Sequence, residues 1–66
     1  PRVLDKAERL SRILEKSAEE NPSPEADAVV GQVKALLAQG RIAVRLQDAT
    51  QMAEVTRLLE SLVALT

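Results

Sequence analysis

The side chains able to do chemistry here are few and poorly placed for it. Besides the terminal Thr66, hydroxyls occur at Ser11, Ser17, Ser23, Ser61, Thr50 and Thr56, and amines at Lys6, Lys16 and Lys34. A hydroxyl becomes a nucleophile only when a neighbouring base takes its proton. The usual base is His, and the 66-residue chain has none; it has no Cys either, so a thiolate nucleophile is excluded outright. Glu19-Glu20 is an adjacent carboxylate pair, but it closes a charged segment next to a proline-rich turn, where solvation accounts for it. No nucleophile–base pair results, and the expectation is a protein that is not an enzyme.

Metal and cofactor chemistry meet the same shortage. Without His or Cys a site would need carboxylates with loop spacing, and no D-x-[DN]-x-[DN]-G stretch is present. The two glycines, Gly31 and Gly40, lie too far apart to form a phosphate-cradling loop. No metal, no cofactor and no small-molecule substrate are expected.

The remaining chemistry belongs to Arg41 and Arg45, which carry a local +2 because no acid lies between positions 41 and 47. In the string Arg41-Ile42-Ala43-Val44-Arg45-Leu46-Gln47-Asp48, apolar and polar or small positions alternate as in a half-buried strand. This string resembles the start of a ribbon-helix-helix repressor, whose two-chain strand ribbon reads the DNA major groove. The resemblance covers only the dozen or so residues around it, and that family places two helices after the strand where this chain has one. It implies a dimeric DNA-binding regulator with Arg41 and Arg45 on an intermolecular ribbon, and that is the alternative functional reading. Against it, nine basic and ten acidic residues give a net charge of -1, little of the electrostatic attraction on which such proteins rely.

The elements that must position these residues follow from hydrophobic spacing. Val3, Ala7, Leu10, Leu14 and Ser17 recur at intervals of 4, 3, 4 and 3, widened by Leu4, Ile13 and Ala18, which predicts an amphipathic helix over about 2–20. Asp5–Arg9 and Glu8–Arg12 support its solvent face at the favourable i,i+4 order. Asn21-Pro22-Ser23-Pro24 ends that helix, with Ser23 as N-cap and Pro24 as first residue of the next. The second helix is expected over 24–39, with Gly40 as the left-handed residue that stops it. Residues 41–47 read equally as a short strand that would pair between chains or as part of one long helix from about 42 to 65. The last helix spans 48–65, with Asp48 as N-cap, Gln51 at the capping-box position, and Met52, Val55, Leu59, Leu62 and Val63 facing inward.

Burial is the harder problem. Hydrophobic residues make up 45% of the chain, yet none is Phe, Trp or Tyr, and a third of them are Ala. Small domains bury a smaller share of their surface, and without disulfides or aromatic side chains the remaining stabiliser is association. The second helix sharpens this. One side carries Val29, Val30, Val33, Leu36 and Leu37, while Ala28, Gly31, Ala35 and Ala38 form a second, small-residue side. A helix apolar nearly all round is a buried one, and a chain this short can hardly cover both sides itself.

The fold class is therefore mainly α, a single small domain over 1–66 built as a three-segment bundle or helical hairpin. The expected function is non-enzymatic protein–protein interaction, as a homo-oligomerisation or adaptor module. Its predicted interface is Ala28, Gly31, Ala35 and Ala38 with Leu58, Leu62 and Leu65, and its partner a second copy or another helical protein. No apolar run approaches the ~20 residues of a membrane span and the N-terminal residues do not read as a signal peptide, so an intracellular, cytoplasmic setting is expected.

Overall fold

The computed structural model describes residues 2–66, with side chains described from Leu4 onward; Val3, at the start of the predicted first seam, falls outside that range. The described residues fold into three helices, α1 (Arg2–Glu20), α2 (Pro24–Arg45) and α3 (Ala49–Leu65), each packed against both others. The bundle measures 36 × 16 × 16 Å. Among the described residues no helix is long and apolar enough to cross a membrane.

Each boundary has a local cause. Pro22 cannot continue α1, and Ser23 in extended backbone accepts a hydrogen bond from the Ala26 N–H at 3.0 Å, with Pro24 following at the first helical position. Glu25 and Asp27 then place negative charge against the positive end of α2, and Arg45 lies at its negative end. Asp48 caps α3 by accepting from the Gln51 N–H at 3.0 Å. The return half of a capping box is not formed, because the Asp48 N–H donates instead to the Ala43 carbonyl at 2.8 Å.

The second helix departs from expectation in its length. It runs six residues past the predicted end at Gln39, through Gly40, and residues 41–45 are its last turn rather than a strand or the start of a long third helix. The apolar stripe explains the continuation. Val33, Gly40 and Ala43 are buried and Leu36, Leu37 and Val44 half-buried against them, so the inward face carries on with helical spacing beyond the glycine. Gly40 is right-handed and helical; the only positive φ among the described residues belongs to Gln47, at 57°. There the Gln47 N–H donates to the Val44 carbonyl (3.1 Å) and the Asp48 N–H to that of Ala43, the paired bonds of a Schellman cap.

What Gly40 supplies is room. A Cβ placed on it would lie 3.3 Å from Leu4 Cδ1, 3.4 Å from Val55 Cγ1 and 3.6 Å from Met52 Cε, so α1 and α3 close onto α2's backbone at this point. The core is accordingly small: Ala7 and Leu14 from α1, Val33 and Ala43 from α2, Met52, Val55 and Leu59 from α3. Ser11 is buried among them, its hydroxyl satisfied by donation to the Ala7 carbonyl at 2.8 Å. With no aromatic ring available, the core is filled by Leu, Val and Met side chains that pack among small residues at Ala7, Ser11, Gly40 and Ala43.

Candidate interaction surface

The inward stripe of α2 fixes where its other residues point. Ala28, Gly31, Ala35 and Ala38 are all exposed, and their 3, 4, 3 spacing places them in one row on the side of the helix turned away from the core. Ile42, one further step of four along the same row, is 52% exposed, and Leu46 beyond it is 70% exposed. In the half-buried strand that the alternation over 41–47 suggests, both would lie on the covered face with Val44. Instead they extend the small-residue row at its C-terminal end, giving an apolar face that follows α2 for most of its length, about 33 Å at 1.5 Å per residue. Sequence reasoning found the first four members by their size and missed Ile42 and Leu46, because assigning them depends on α2 continuing past Gly40.

Gly31 differs from Gly40 in what surrounds it. A Cβ built on Gly31 meets nothing within 4 Å. Glycine in a helix interior costs about 1 kcal/mol relative to Ala, and at this position no contact within the chain requires it.

Charge is ordered along the same helix. Its first turn holds Glu25 and Asp27, and every charge after that is positive: Lys34, Arg41 and Arg45. Asp27, Lys34 and Arg41 recur every seven residues and so share one flank of the apolar row. Ion pairs among the described residues lie elsewhere, between Lys6 and Glu60 (2.8 Å), joining α1 to α3, and between Arg57 and Glu54 within α3. The hydrogen bond and charge of Glu54 hold the Arg57 guanidinium above its ordinary pKa. None of α2's charged side chains takes part in these pairs.

The α3 members of the predicted interface are placed differently. Leu62 is half-buried against the core, and Leu58 is half-buried. Leu65, 83% exposed, lines with Leu62 a cleft of about 250 Å³ at the end of the bundle, walled by Leu14, Ala18, Ala26 and Val29. Leu62 and Leu65 thus adjoin the inward side of α2's first turns, away from the Ala/Gly row. The seven residues form two separate regions, of which only the α2 row is a continuous outward face.

The hydroxyls and arginines weighed for chemistry also find their places. Ser23 is a cap, Ser11 and Thr56 donate to backbone carbonyls one turn earlier (Ala7 and Met52), and Ser61 does the same to Arg57. Glu19 and Glu20 are exposed at the end of α1. Arg41 and Arg45 stand one turn apart on exposed helix, so the ribbon implied by the repressor resemblance is not formed. No protein-family model, curated protein or solved structure matches the chain.

Proposed function

We propose that this chain is a non-enzymatic protein–protein interaction module whose docking surface is the outward face of α2. One observation carries the reading: the side of a 22-residue helix that points away from the core presents Ala28, Gly31, Ala35, Ala38 and Ile42 in a row where a solvated helix would present charged and long polar residues. Small side chains let a second helix approach to the short end of the usual 8–10 Å interaxial range, so backbone and Cβ contacts replace the large hydrophobic anchors that this composition lacks.

Cysteine scanning tests this directly, since the chain has no thiol of its own. Placed at Ala35 or Ala38, a cysteine should react with an alkylating reagent as an exposed thiol in dilute protein and be protected in the assembled state isolated by gel filtration. A cysteine at the exposed Arg12 of α1 should react in both. Equal reaction at Ala35 and Arg12 in the assembly removes α2 as the docking surface.

A further inference from the structure

The order of charge along α2 says what covers its outward face. We infer that the occupant is a second copy of this chain, its α2 lying antiparallel to the first and crossing it near residues 33–34. The inference rests on the reading of that face as a docking surface and adds the partner, its direction and its register.

Direction follows from electrostatics. A parallel pair would set Glu25 and Asp27 beside the same two acids, and Lys34, Arg41 and Arg45 beside the same three bases. Reversing one helix brings the acidic end of each copy to the basic end of the other, and it opposes the two helix dipoles as well. In antiparallel packing each flank meets the same flank of its partner, so Asp27 of one copy lies beside Arg41 of the other, twice by symmetry. Neither residue joins an ion pair within the chain among the described residues, so both are available.

Register follows from two centres. The small-residue row from Ala28 to Ala38 is centred on Val33, and the Asp27 and Arg41 pair, which share one flank, on Lys34. These centres fall within one helical turn, so one crossing point serves close approach and charge matching together. At that crossing Ala28 faces Ala38 of the second copy and Gly31 faces its Ala35, the four smallest side chains of the face. Ile42 then lies over the first turn of the partner helix, where Pro24 begins it. Lys34 comes near its own copy at the axis; it is exposed, and its flexible stem leads the ammonium out to water.

Disulfide trapping with charge reversal tests the arrangement in the intact chain. Ala28→Cys and Ala38→Cys proteins, one carrying a mass tag, are mixed and oxidised. The 28-to-38 heterodimer should dominate, with Ala28→Cys alone linking slowly to itself; self-linking as fast as the mixed reaction overturns the antiparallel direction. By sedimentation equilibrium, Asp27→Arg or Arg41→Asp should each raise the dimer dissociation constant by about tenfold, since attraction becomes repulsion at two symmetric places, and the double reversal should restore it. Failure of the double variant to recover overturns the register. A chain that stays monomeric up to about 1 mM overturns pairing with a second copy while leaving the α2 face to a different partner. A dimer that ignores Gly31→Leu as well as both charge reversals is built elsewhere, and overturns the docking surface along with this inference.

Discussion

The two glycines of α2 stand nine positions apart on one continuous helix and meet opposite surroundings. Gly40 is buried, and a Cβ there would press on Leu4 and Val55; around Gly31 there is open space. Gly40 belongs to the packing of this chain, whereas Gly31 is dispensable to it. The comparison extends to the whole helix. Its inward side ends in Ala43 and Val44 in and against the core, and its outward side ends in Ile42 and Leu46, which are largely exposed. Apolar residues alone therefore do not distinguish the sides of α2. What distinguishes them is whether this chain supplies the neighbour.

Putting the same side chain at both glycines gives the largest contrast. Gly40→Leu has no space for its branches between Leu4, Met52 and Val55, and overpacking of this kind costs about 1–3 kcal/mol or more, a large part of the stability of so small a domain. Gly31→Leu meets no such obstacle and removes the helix penalty of glycine. In dilute, monomeric protein it should raise stability by up to about 1 kcal/mol, or roughly 4–8 °C in Tm. Thermal melts followed by circular dichroism at low concentration decide this, and equal losses at the two sites would abolish the distinction between the faces.

Alanine makes the contrast finer. Gly31→Ala should gain about 1 kcal/mol in the monomer, the full difference in helix propensity. Gly40→Ala has the same propensity gain, but its methyl must displace Leu4 Cδ1 and Val55 Cγ1, at 3.3 and 3.4 Å, by a few tenths of an ångström. Its net change should be smaller than that of Gly31→Ala in chemical denaturation. A Gly40→Ala gain that matches or exceeds it would mean that α1 and α3 do not close on α2 as tightly as described.

How far the sequence revealed these faces depends on the signal in question. The α1 stripe apart from Ile13, which is 52% exposed, the Ser23-Pro24 start of α2 and the inward residues of α3 were readable because each rests on local chemistry or on a long, regular spacing. The end of α2 was misread because a glycine followed by alternating residues imitates a helix stop and a strand. Whether a glycine ends a helix or admits a neighbouring one is decided by Leu4 and Val55, distant in sequence and close in space. The true stop at Gln47 carried no compositional mark, since a glutamine there takes the left-handed conformation that glycine usually supplies. The same misreading hid Ile42 and Leu46 from the outward face, while size alone was enough to find Ala28, Gly31, Ala35 and Ala38. In sequence Leu62 belongs both to the inward side of α3 and to the predicted interface, and packing assigns it to the inward side.

Gln47 offers a measurable check on where both faces end. A non-glycine residue in the left-handed region carries a penalty of about 1 kcal/mol, partly offset by the entropy glycine loses on folding. Gln47→Gly should thus stabilise the bundle by about 0.5–1 kcal/mol, with helix content unchanged by circular dichroism. A loss of stability there would place the left-handed residue, and the end of α2, somewhere else.

The smallest effect on the fold should come from the end of the outward face. Ile42 and Leu46 are 52% and 70% exposed, so serine at both positions removes little buried surface from the monomer, and its stability should stay within about 0.5 kcal/mol of the parent in dilute solution. Their contribution should emerge only as concentration rises, because there the parent gains stability from burying these side chains against a partner and the double serine variant gains less. Denaturation midpoints measured across a wide concentration range separate the two contributions. Parallel curves for parent and variant would mean that Ile42 and Leu46 remain in water in the assembly, confining the contact on α2 to the Ala28–Ala38 row. A large loss already present in the monomer would instead place these two side chains in the core of this chain and remove the difference between the two faces of α2 at its C-terminal end.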